Sequence, residues 1–453
     1  MRVLLAAAGL VIAAAVGLHE RPPALLRVGA NYAAYIVCSN MFLAHRDPAE
    51  VLNTDVQAPG NPLLRLVRIR VDRRRGLVHA GMLGFIGHGL AVYRPGQGCT
   101  VVPDGRVAAL LRASPSIPDP PDPAPPADQP WPRGEQVRTD PALDRLIAEP
   151  KLAGPGMRAI VVVDHGRIVA ERYGRGFSAD TPLIGWSMTK TVIAGLIGVL
   201  VEDGRLSLAA PAGLGSAADD PRSTIRVRDL LSMTSGLEFN ENYGTVSDVT
   251  RMLYLEPDMA GYAGARPLVH PAGTVWSYSS GTAMILSRIY QRAAGPHPRA
   301  FARSHLFEPL GIESATLPSD ESGTLVGASY MYATARDWAR FGELLARQGA
   351  WDGRAILPPG YVAMMASPVA ASDGEYGQGQ VWRFGSDPPA PGVDPDDAYG
   401  IPRDKFWMEG HDGQYVAIIP SRDLVVVRMG LTPDRDHYLP QPLVHALLER
   451  LGT

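Results

Sequence analysis

Only three of the 43 basic residues are lysine, at positions 151, 190 and 405, in a chain that otherwise uses arginine. One of them follows a serine by three positions, in Gly185-Trp186-Ser187-Met188-Thr189-Lys190, and leads into an apolar run over residues 192–201. A run apolar on nearly every face predicts a helix buried in its domain. Ser187 then sits at the first turn, with Lys190 one turn on along the same face. A serine hydroxyl attacks poorly until a base removes its proton. Lysine can be that base where burial disfavours its charged form, whereas arginine stays protonated and cannot. The helix N-terminus also favours negative charge developing beside it. The competing reading, a helix cap followed by a surface lysine, has the same spacing but not the apolar sequence that Lys190 enters.

Two later stretches have the character of site segments. Trp276-Ser277-Tyr278-Ser279-Ser280-Gly281 precedes a helical pattern over residues 282–292, and a tyrosine at such a junction can give or take a proton. Glu409-Gly410-His411-Asp412-Gly413-Gln414 enters a hairpin, where glycines would let a substrate approach an edge backbone closely. Read alone, His411 is a turn histidine and Asp412 a solvated carboxylate. In this order the three segments resemble the serine β-lactamase and penicillin-recognising hydrolase family. That family carries Ser-x-x-Lys, Tyr-x-Asn and either Lys-Thr-Gly or His-x-Gly. Leu230-Leu231-Ser232-Met233-Thr234-Ser235-Gly236-Leu237 is similar to a segment recurrent in its class C-like branch. The resemblance spans roughly residues 140–450. The flanks Pro271-Ala272-Gly273-Thr274, Tyr278-Ser279-Ser280-Gly281 and Ala333-Thr334-Ala335-Arg336-Asp337 look most like 6-aminohexanoate-dimer hydrolases and related esterases.

The resemblance implies Ser187 as nucleophile, Lys190 as base or proton shuttle, and Tyr278 as their proton-transfer partner. It implies an oxyanion hole made of the Ser187 N–H and one N–H from the stretch His411, Gly413, Gln414, each donor contributing about 3 kcal/mol to the transition state. Two departures bear on substrate. Ser280 stands where lactamases have asparagine, and His411-Asp412-Gly413 replaces Lys-Thr-Gly. A largely neutral histidine beside an aspartate would hold the carboxylate of a β-lactam weakly. The expected substrates are therefore small neutral or cationic amides or esters, with poor β-lactamase activity.

The elements that must hold these residues are partly visible. Apolar β-rich runs at residues 159–163 and 168–170 flank a turn with glycine, and a second pair at 415–419 and 424–429 flanks another. A closing helix is expected over residues 441–451, helical patterns at 142–149 and 334–347. Terminal hairpins around a helical middle predict an α/β (α+β) architecture of the β-lactamase kind. It comprises an antiparallel sheet flanked by helices, an inserted helical subdomain, and a small β-rich module in front. The module carries the alternating strand Val67-Ile69-Val71 and an arginine turn at residues 73–75. The expected divisions are 1–20, a signal peptide or anchor; 21–112, the module; 113–135, a proline-rich linker; and 136–453, the hydrolase-like domain. Nine of the eighteen residues from 115 to 132 are proline, which makes that linker semi-rigid.

Composition narrows the remaining classes. With 46% hydrophobic and 20% charged residues the chain can bury a sizeable core, and a net charge of −3 argues against a nucleic-acid binder. Met1-Arg2 and an apolar run over residues 3–18 resemble an export signal, too short at about 24 Å to span a roughly 30 Å hydrocarbon core. An exported protein is expected, periplasmic or secreted, with a membrane contact only through that segment if it stays as an anchor. Cys38 and Cys99 can form one disulfide, worth ~4 kcal/mol on the chain-entropy model, or remain buried thiols. No metal-ligand spacing and no cofactor motif occurs. Three functions stand: an exported serine amidase or esterase acting through an acyl-enzyme at Ser187, a cell-wall D-peptidase or β-lactamase of the same fold, and a non-catalytic penicillin-binding-like sensor.

Overall fold

A computed structural model describes residues 16–113, 128–215 and 219–452. The chain divides into two units. The first takes Met1–Pro118 together with Phe239–Tyr262 and Pro318–Thr324, and the second takes Asp119–Glu238, Ala263–Leu317 and Leu325–Thr453. The compact unit that holds residues 21–112 thus also recruits two stretches from far along the chain.

The longest element of the first unit is helix α1 (Ala24–Phe42), buried around most of its surface from Val28 to Met41. Behind it lies an antiparallel sheet in the order β1 (Val67–Asp72), β2 (Leu77–Met82), β3 (Ile86–Arg94) and β4 (Gly98–Val101). Expecting this module to be β-rich overlooks α1, because a helix packed on several sides loses the one-sided apolar period that marks a surface helix. Buried Asn31 is satisfied at both ends: its amide donates to the Tyr254 carbonyl at 2.8 Å and accepts from the Leu90 N–H at 3.1 Å. A disulfide joins Cys38 of α1 to Cys99 of β4. Arg94 donates to the hydroxyls of Thr100 and Ser319, both at 2.8 Å, and the Thr100 hydroxyl donates to the Ser319 carbonyl at 2.8 Å. These bonds stitch the two later stretches to α1 and its sheet.

The second unit is built around five antiparallel strands. In chain order its elements are strands β5 (Met157–Asp164) and β6 (Arg167–Tyr173), helices α2 (Met188–Glu202), α3 (Ser280–Ala294) and α4 (Ala335–Ala346), strands β7 (Phe406–Gly410), β8 (Gln414–Ile419) and β9 (Leu424–Gly430), and helix α5 (Gln441–Leu451). The sheet order is β7-β8-β9-β5-β6, so the two terminal hairpins expected from the sequence join edge to edge through β9 and β5. Period-two alternation gives the sheet two apolar faces. Ile160, Val162 and Val426 turn to a core shared with Leu143, Trp407, Leu443 and Leu447, under α5. On the other face Val416 and Val425 meet α4 at Gly342, and each fully buried valine contributes roughly 1.5–3 kcal/mol. Helix α2 is buried from Met188 to Leu200 and packs against α3. Residues 1–15 of the expected export segment and 114–127 of the expected linker lie outside the described residues. No helix among the described residues is long and apolar enough to cross a membrane.

Candidate active site

Ser187 sits at the N-cap of α2, and its side chain caps nothing there. The Lys190 amine lies 2.9 Å from the Ser187 hydroxyl and donates to the Ala328 carbonyl at 2.8 Å, with the lysine only 1% exposed. The turn entering the helix is strained. Trp186 has φ +46°, a left-handed conformation that costs a bulky residue about 1–3 kcal/mol and persists where surrounding structure enforces it. The enforcing bonds are at hand. The Gly185 N–H donates to the Met331 carbonyl at 2.9 Å, and the Thr189 hydroxyl accepts from the Met331 N–H at 3.2 Å. The N–H groups of Met188, Thr189 and Lys190 bond back to the carbonyls of Gly185, Trp186 and Ser187.

Tyr278 ends a loop two residues before α3, and the ring lies with its centroid 5.0 Å from the Lys190 amine. It stacks on Trp382 at 5.3 Å and meets Tyr376 edge-on at 5.9 Å. The segment over residues 230–237 holds this loop in place. Met233 accepts from the Ser277 N–H at 2.9 Å, Thr234 from Gly273 at 2.7 Å, and Gly236 from Val269 at 2.9 Å. Gly236 has φ +74°, and a Cβ there would lie 2.1 Å from the His270 carbonyl oxygen, so no other residue fits without displacing backbone. Gln380 ties this segment to α2: its side-chain amide donates to the carbonyls of Leu230 and Leu231, and its main-chain carbonyl accepts from the Thr191 hydroxyl at 2.7 Å. Ser279 caps α3 by accepting from the Thr282 N–H, and Ser280 is fully buried.

The third segment turns between β7 and β8. The His411 ring meets Trp186 edge-on at 5.9 Å, which brings it beside the Ser187 turn, and 40% of its side chain is exposed. Gly410 explains the closeness of strand and turn, since a Cβ on it would lie 2.2 Å from the Gly185 carbonyl oxygen. Gly413 and Gln414 face inward. The Gly413 carbonyl accepts from Arg428 at 2.7 Å. The Gln414 amide nitrogen donates to the carbonyls of His411, Asp412 and Gly430, while its oxygen accepts from the Gly430 N–H. The Gln414 side chain therefore shapes the turn, leaving its backbone as the part that could meet a ligand. Asp412, read from sequence as solvated, is instead 7% exposed. Burial pushes its carboxyl above the usual range, opposed by His411, whose Nε2 lies 3.5 Å away. Turn position alone does not reveal this, because the charges near Asp412, those of Arg158 and Asp434 among them, come from chain segments distant in sequence.

Two further stretches, around residues 328 and 376, border these residues. The first supplies the carbonyl on Lys190. The second belongs to an aromatic cluster of Trp276, Tyr278, Tyr376 and Trp382 whose ring centroids lie within 6.1 Å of their neighbours. The other two lysines part company from Lys190. Lys151 is exposed, and buried Lys405 is paired with Asp394 and, at 3.5 Å, with Asp396. No group of three or more His, Cys, Asp or Glu residues among the described residues could hold a metal ion.

A serine and a buried lysine at the head of an enclosed helix, with a tyrosine over the amine and an antiparallel sheet alongside, define the β-lactamase-fold class of hydrolases. The beta-lactamase family model matches residues 114–438, and the chain belongs to that family. A 6-aminohexanoate-dimer hydrolase of Paenarthrobacter ureafaciens is 25% identical over 350 residues, 70% of this chain and 81% of that one. A Bacillus anthracis structure provisionally described as a 6-aminohexanoate-dimer hydrolase aligns with a TM-score of 0.56 at 22% identity, over 68% of this chain and 82% of its own. A penicillin-binding protein homologue from Caulobacter crescentus aligns with a TM-score of 0.52 at 18% identity, over 69% and 98%. The expected fold class stands, and the chain is a hydrolase of this family.

Proposed function

We propose that the protein is a serine hydrolase that cleaves small amides or esters through an acyl-enzyme on Ser187. The observation that carries this is the 2.9 Å separation between the Lys190 amine and the Ser187 hydroxyl in a buried position under the Tyr278 ring. Ser187 Oγ bonds to the acyl carbon as its proton passes to the Lys190 nitrogen. The oxyanion is held by the Ser187 N–H and an N–H of the 411–414 turn. Collapse expels the amine or alcohol, which takes a proton relayed by Lys190 and Tyr278, and water then releases the acid by the same steps in reverse order. Asp412 beside His411 favours neutral or cationic substrates over anionic ones. The relative described as a 6-aminohexanoate-dimer hydrolase supports amides of amino acids as one such class. Export, with or without a retained N-terminal anchor, fits the opening sequence.

The test is incubation of the pure protein with p-nitrophenyl esters, 6-aminohexanoate dimer and a fluorescent penicillin, with mass spectrometry for an adduct. Turnover of ester or amide with an acyl adduct on Ser187, lost at least about 10⁴-fold in Ser187→Ala, is expected. Stoichiometric trapping by penicillin without ester turnover would favour the D-peptidase reading, and inertness to all three the sensor reading.

A further inference from the structure

Half of the twelve large apolar side chains that stand exposed among the described residues come from three short stretches of the first unit. They are Val16, Leu18, Leu63, Leu66, Leu83 and Phe85, between 38% and 55% exposed. These stretches meet. The Leu83 N–H donates to the Leu66 carbonyl at 2.8 Å. His19 Nδ1 lies 2.7 Å from the Phe85 carbonyl, His88 Nε2 lies 2.8 Å from the His19 carbonyl, and the two imidazoles are edge-to-face at 4.4 Å. These bonds draw the β2–β3 turn, the 3-10 turn before β1 and residues 16–19 together, and their exposed side chains are taken as one apolar face. The same stretches carry exposed Arg21, Arg65 and Arg68 against one acid, Glu20; Arg68 lies beside Gly84 of the β2–β3 turn and also donates to the Arg65 and Val67 carbonyls.

An apolar face of this kind on a folded unit marks a contact surface. Two observations select its occupant. The apolar run of residues 3–18 ends within the face, since Val16 and Leu18 belong to both. The exposed charge on these stretches is mainly arginine, whose planar fork matches phosphate oxygens. We infer that this face seats the folded first unit on an anionic lipid bilayer, with the leucine and phenylalanine tips at the headgroup–acyl boundary and the arginines on lipid phosphates. The seat combines the folded unit with residues 16–19 at the end of the opening run, does not require residues 3–15 to act as an anchor, and does not rest on the hydrolase reading.

Both native cysteines are consumed in the disulfide, so Leu83→Cys in the full chain gives a single reactive thiol, and Glu449→Cys on α5 gives a control in the other unit. Each is labelled with an environment-sensitive fluorophore and mixed with vesicles of phosphatidylcholine alone or with phosphatidylglycerol. On the anionic vesicles the label at 83 should shift to the blue and become shielded from an aqueous quencher, while the label at 449 stays accessible. Arg65→Ser and Arg68→Ser should each weaken that binding about fivefold, with ester turnover and circular dichroism unchanged. Protein that pellets with vesicles while both labels stay equally accessible would overturn the inference, because the opening segment alone would then be binding. Failure to bind anionic vesicles would overturn it too, as would concentration-dependent shielding at 83 without vesicles, which would assign the face to a second copy of the chain.

Discussion

Asp412 and Glu409 flank the same turn, and each makes a distinct expectation. Burial raises the Asp412 carboxyl, so its negative charge grows as pH rises beyond the usual carboxylate range. The ratio of kcat/KM for an anionic ester to that for a neutral ester should therefore fall with rising pH, and Asp412→Asn should remove that dependence. Glu409 is pushed up to about 8, first by burial and further by the Asp396 charge, against a hydrogen bond from Ser386. A carboxyl whose folded value is raised stabilises the fold below its unfolded value, about 4.5, and loses that contribution as pH climbs through about 8. Glu409→Gln should flatten the decline in Tm between those limits relative to the unaltered protein; an unchanged slope would mean Glu409 carries no such linkage. The Ser187 and Lys190 pair was legible in the sequence because three positions along a helix fix which side chains share a face. Trp186 in the left-handed region and the burial of Asp412 were not, since the turn is tied to Met331 through Gly185 and Thr189, and Asp412 lies near the charges of Arg158 and Asp434, contacts that local sequence does not foretell.

Among elements, the two hairpins and the closing helix α5 were readable because their apolar periods are clean and their turns are marked by glycine or by proline and aspartate. The span of α5, Gln441–Leu451, coincides with its expected range. Helix α1 was not readable, since Asn31, Ser39 and Asn40 are buried among its apolar residues and blur any stripe. The segment 230–237 was recognised by resemblance alone; its physical role, holding the Tyr278 loop through Met233, Thr234 and Gly236, comes from the backbone bonds. Gly236→Ala tests that role. A left-handed φ and a 2.1 Å clash with the His270 carbonyl should cost about 1–3 kcal/mol of stability and lower kcat more than they raise KM, read from Tm and ester kinetics. Loss of stability with unchanged kcat would confine the segment to a scaffolding part.

The first unit draws on Phe239–Tyr262 and Pro318–Thr324 as well as the front of the chain, and a boundary drawn from proline content is blind to such pairing across hundreds of residues. The first unit closes through Asn31 on Tyr254 and through Arg94 and Thr100 on Ser319. Residues 1–118 produced alone should therefore remain soluble poorly and form the Cys38–Cys99 bond inefficiently, and supplying the remainder of the chain should restore both, as measured by thiol titration. A separately folding fragment 1–118 would contradict this.

That interleaving sets a timetable for biosynthesis. A nascent polypeptide leaves the ribosome from its front, yet the partners of Asn31 and Thr100 emerge only after residues 254 and 319 have been translated. The earliest part of the message thus waits for distant downstream segments before it is completed as structure, and until then its cysteines meet whatever oxidant or chaperone the compartment provides.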